Sequence, residues 1–101
     1  MSDNKADNTV ILPIVHNNGD TKKTLLYNLE QAYRAVQAAK KALAECAPNG
    51  RNYYPVAGLF PKAYEQHCDR MAHLETVRVS LLQEAHGIQD TCPQGENYAA
   101  L

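Results

Sequence analysis

Residues 47–61 read "APNGRNYYPVAGLFP", and the reading of this stretch decides the fold. It holds Pro48, Pro55, Pro61 and an Asn49-Gly50 pair, residues that stop helices and make turns. A long segment with apolar residues at helical spacing runs on each side of it. The stretch is therefore a connection between two helices.

Working back from it, the spacing predicts a first helix over residues 21–46. Leu25, Leu29, Ala32, Val36, Ala39, Leu43 and Cys46 fall at alternating steps of four and three, a coiled-coil-like stripe that Leu26, Tyr33 and Ala42 widen. Asn28, Gln31, Arg34, Gln37, Lys41 and Glu45 occupy the opposite face. Ala32, Ala35, Ala38, Ala39 and Ala42 keep part of the surface shallow, suited to a helix at the short end of the usual ~8–10 Å spacing. Asp20 or Thr21 stands where the N-cap belongs.

Working forward, a second helix is predicted over residues 61–89. Pro61 suits a first turn, where its missing N–H would be unpaired anyway. The stripe here is Tyr64, His67, Met71, Leu74, Arg78, Leu81, Ala85 and Ile88. Arg78 lies on the apolar seam, either with its head snorkelled to the rim or paired with an acid across a subunit interface.

Ahead of the first helix, "TVILPIVH" (residues 9–16) is β-branched and apolar with Pro13 at its middle, and "NNGD" (17–20) is a turn. Proline removes a backbone donor, so residues 9–20 read as an extended arm or an edge strand. Residues 1–8 and 91–101 read as polar, loose tails. The fold class is all-α: one domain over residues 9–90, an antiparallel helical hairpin with a short extended N-terminal arm. Its stripes are wider than one partner helix needs, so the hairpin is expected to self-associate into a four-helix-bundle-like homodimer or higher homo-oligomer.

Composition narrows the function classes. A net charge of −1 and a pI near 6.4 argue against a general nucleic-acid binder, which needs a basic surface. No apolar run approaches the ~20 residues of a membrane span. The start, "MSDNKADN", lacks the basic-then-apolar pattern of a signal peptide. Cys46, Cys68 and Cys92 are odd in number and widely spaced, which fits reduced thiols and a cytoplasmic location.

The candidate contact residues are Arg51, Tyr53 and Tyr54 with Asn49 beside them, and Lys22 and Lys23 at the start of the first helix. Arginine forks to phosphate or carboxylate, and tyrosine rings stack on planar groups. The bland alternative is that the tyrosines plug the end of the hairpin and the lysines are solvated. Cys46, His67 and Cys68 lack the C-x₂₋₄-C or H-x₃₋₅-H pair that nucleates a zinc site, so no metal is expected. Glu65, Glu75 and Glu84 form no convincing catalytic pair, and neither an enzymatic activity nor a cofactor is expected.

"NNGDTKKTLL", then "APNGRNYYP", then Ala63, His67 and Arg70 in an Ala-x-x-x-His-x-x-Arg pattern together resemble a group of small bacteriophage and prophage proteins of unknown function, over residues 14–90. The resemblance implies a phage-encoded accessory protein in a bacterial host's cytoplasm. Such proteins often bind and redirect a host protein or counter a defence system, sometimes by sequestering its nucleotide signal. The end "ENYAAL" is similar to the tag that ribosome rescue adds to stalled chains, but it departs from the tag in closing on Leu101. The expected function is binding of a host protein, with capture of a nucleotide-like anion through Arg51, Tyr53 and Tyr54 as the alternative.

Overall fold

The structure, a computed structural model, describes residues 10–91. The expectations for residues 1–8, for Cys92 and for the "ENYAAL" end lie outside the described residues. The described chain is all-helical, with no strand: helix α1 (Lys22–Ala44), a 3₁₀ turn (Gly50–Asn52) and helix α2 (Leu59–Thr91) make a helical hairpin.

Thr21 is the residue that caps α1. Its hydroxyl accepts from the Thr24 N–H at 3.1 Å, a donor that a first turn leaves orphaned, and its carbonyl accepts the first intrahelical bond, from the Leu25 N–H at 3.0 Å. At the other end Glu45, Cys46 and Ala47 donate to the carbonyls of Ala42, Leu43 and Ala44. These i→i+3 bonds tighten the last turn before Pro48, which disfavours helical backbone at the residue before it. Hence α1 stops at Ala44, two residues short of the boundary its stripe suggests. In contrast, α2 begins at Leu59, so Pro61 is its third residue and still lies within the first turn.

The chain divides into two compact units. In the arm unit, described over residues 10–33 and 79–91, Ile88 is fully buried and Val15 nearly so, with Leu12, Leu25, Leu26 and Leu29 around them. Val15 is buried and Leu12, three residues before it, packs against the core, while Ile11 and Ile14 are 83% and 78% exposed; Val10 and Pro13 are half-buried like Leu12. The arm forms no strand, and its burial does not alternate with the two-residue period of one, which resolves the choice between arm and edge strand. The arm lies directly on α2 at Gly87, where an added Cβ would come within 2.8 Å of both Leu12 methyl carbons. It ends in a turn in which Gly19 donates to the His16 carbonyl and the His16 Nδ1 accepts from Asn18.

In the loop unit, Arg34–Arg78, the inner positions of α1 are Val36, Lys40 and Leu43. Ala32, Ala39 and Cys46, which the expected stripe placed inside, are exposed, while Tyr33 and Lys40 take the inner face. The physical reason is area: turning an alanine inward removes little surface from water, whereas a tyrosine ring or a lysine stem removes several times more. On α2, His67 is 7% exposed and its Nδ1 is buried without a hydrogen-bond partner. Glu75 accepts from Lys40 Nζ at 2.5 Å and from Arg78 Nε and Nη2 at 2.9 and 2.6 Å. Arg78 thus stands on the seam with an acidic partner from its own helix.

Candidate functional site

The connection is built from short local bonds. Asn49, half-buried with extended backbone, accepts through its side chain from the Arg51 N–H at 2.8 Å, and its carbonyl accepts from Asn52. Both the Tyr53 and Tyr54 N–H groups donate to the Gly50 carbonyl. A further bond, from Val56 N–H to the Tyr53 carbonyl, and one from Leu59 N–H to the Val56 carbonyl lead into α2. Gly58 sits between them at φ +81°, backbone that a side chain strains to adopt. The backbone of the loop is thus held by its own turns.

This scaffold sorts the side chains. Tyr53 is half-buried, its ring 6.2 Å from Phe60, and Phe60 lies 6.2 Å from Tyr64, both tilted pairs within the range of favourable ring contacts. Tyr54, by contrast, is 80% exposed. Val56, Leu59, Phe60 and Tyr64 are exposed as well. The result is an apolar, ring-rich surface at the loop end, beside the exposed Arg51 and Lys62. Asn49 has a structural role, since its side chain is engaged as a cap.

Sequence reasoning found Arg51 and the two tyrosines but missed Leu59, Phe60 and Lys62. It also assigned Tyr64 to the inner stripe. Spacing gave no signal for them: Leu59 and Phe60 stand four and three residues before Ala63, in phase with the inner positions Ala63 and His67, so a helical period counts them inward although both are exposed.

Lys22 and Lys23 belong to the arm unit. Lys22 is half-buried and donates to the Gln89 carbonyl at 3.3 Å, placing a cation where the last carbonyls of α2 favour one. Lys23 is exposed. The same unit has an open groove of about 290 Å³, with apolar walls from Leu26, Leu29, Leu81, Leu82 and Ala85.

Cys46 and Cys68 are free, exposed thiols. Among the described residues no group of three or more His, Cys, Asp or Glu side chains is placed to hold a metal ion, and no helix is long and apolar enough to cross a membrane. No protein-family model, curated protein sequence or solved structure matches the chain.

Proposed function

We propose that the chain is a non-enzymatic binding protein whose loop end docks a protein partner. One observation carries this reading: Tyr54, Val56, Leu59, Phe60 and Tyr64 are all solvent-exposed within a single turn-and-helix-start segment. Exposed apolar and aromatic side chains gathered in one short segment, with tyrosine and arginine among them, match the composition of an interface centre. The resemblance to small phage proteins supplies the setting, a bacterial cytoplasm in which the partner is a host protein such as a defence component. Support for a nucleotide-like ligand is thinner, because Tyr53 is engaged with Phe60 and only Arg51 and Tyr54 remain open.

The test is capture from bacterial extract by the tagged chain, with Tyr54→Ser/Phe60→Ser as the comparison. A partner held by the wild type and lost with a variant of unchanged helicity supports the reading. Equal capture by both refutes it.

The binding protein acts as a homo-oligomer in this reading, with the open leucine-walled groove covered by a second copy in a four-helix bundle. Two buried apolar residues are a small core for the described chain, and small domains recover missing burial by association. Sedimentation velocity over a range of concentrations measures this. A single monomeric species at every concentration rules out the bundle.

A further inference from the structure

We infer that the loop end takes a partner segment that is acidic as well as apolar, a peptide stretch presenting carboxylates beside aliphatic or aromatic side chains. The inference rests on reading the loop end as a docking surface and adds the partner's chemistry.

Between Glu45 and Glu65 the sequence carries two charged side chains, Arg51 and Lys62, both positive and both exposed. Among the described residues neither has a partner for its charge. In the same unit Lys40 and Arg78 share Glu75, whereas Arg51 and Lys62 stand exposed at the ring-rich end. A carboxylate brought against Arg51 accepts two parallel N–H bonds from the guanidinium fork. Apolar contact by Tyr54, Leu59 and Phe60 excludes water around such a pair, which strengthens it.

Alternative occupants fit less well. A second copy docked patch to patch about a two-fold axis brings Arg51 and Lys62 against their own like charges. For single-stranded nucleic acid the rings are suitable, but two cations displace few counterions, against the roughly 6–10 phosphate contacts of a strong binder.

The experiment titrates the full-length ¹⁵N-labelled chain with three peptides that share leucine and phenylalanine anchors, interspersed with Glu, with Lys or with Ser, and with oligothymidylate. Amide shifts over residues 51–64 locate binding. The Glu peptide is expected to bind there about tenfold more tightly than the Lys peptide, a modest gap for a like-charge clash. The doubly reversed variant Arg51→Glu/Lys62→Glu is expected to exchange that preference. Several outcomes overturn the inference: equal binding of the Glu and Ser peptides, no peptide binding, the same shifts with oligothymidylate, or the same shifts on concentrating the chain alone. Capture from extract by the wild type and its loss in Tyr54→Ser/Phe60→Ser do not depend on these peptides, so a docking surface of different charge preference remains distinguishable from no docking surface.

Discussion

Glu75 holds two cations at once. Its hydrogen bonds from Arg78 first and Lys40 second pull its carboxyl down from 4.5 to about 2. The sign follows from linkage: a carboxylate with a lower pKa in the folded chain stabilises it fully above the unfolded value. That contribution is lost as pH falls from about 4.5 through about 2. Thermal melts of the wild type and Glu75→Gln should therefore differ at pH 7 and converge near pH 2, and a gap that persists at pH 2 counts against the triad. Residues with their own partner in sequence were the ones most easily misread. On its seam Arg78 looked like a snorkelled or interfacial charge, because the i,i+3 carboxylate at Glu75 was assigned to neither face. The roles of Arg51 and Tyr54 as exposed side chains were legible from Asn49-Gly50 and Pro55, which make the turn that presents them.

At the scale of elements, both helices could be read from period alone, and their ends shifted by two residues at most. What period could not give was the rotation of α1 about its axis. Leu29, Val36 and Leu43 belong both to the expected stripe and to the observed one. The second seam position is decided by whether Ala32 and Ala39 or Tyr33 and Lys40 turn inward, and only a partner such as Glu75 settles that. The arm's contact with α2 was equally hidden, since Gly87 gives no sign in sequence of which side chain lies over it. Gly87→Ala sets two effects against each other: alanine favours a helix interior by about 1 kcal/mol over glycine, but its Cβ must displace Leu12. In a Leu12→Ala background the substitution should therefore stabilise the chain by about 1 kcal/mol. With Leu12 present that gain should vanish or reverse, a coupling that urea unfolding of the four variants measures. Simple additivity would mean that the arm does not rest on this glycine.

For the whole molecule, the two units are stabilised differently. Among the described residues the buried apolar ones, Val15 and Ile88, both belong to the arm unit, whereas the buried residue of the loop unit is His67, whose Nδ1 has no hydrogen-bond partner. Local opening is cheapest where buried apolar contact is least. Amide exchange should accordingly be slower over residues 26–33 and 81–88 than over 36–43 and 63–71, and the opposite order would contradict the burial pattern. Helical-hairpin character was legible in the sequence, because two stripes and a proline-rich connection state it. The unequal distribution of the core was not, because it depends on an arm that is neither helix nor strand and so carries no regular pattern to mark its inward side chains.

The three-residue spacing of Leu12 and Val15 has a consequence for the arm's reading frame. In a strand, a slip of one residue turns every inward side chain out. Here a slip of one exchanges Leu12 and Val15 for Ile11 and Ile14, one branched aliphatic pair for another, so the arm's own composition scarcely chooses between frames. The choice falls to the tether, the turn at residues 17–20 that joins the arm to the Thr21 cap. Deleting Asn17 should advance the frame by one and bring Ile11 and Ile14 against Ile88, as methyl–methyl NOEs would record. NOEs that stay with Leu12 and Val15 would mean that Gly87, not the tether, keeps the frame.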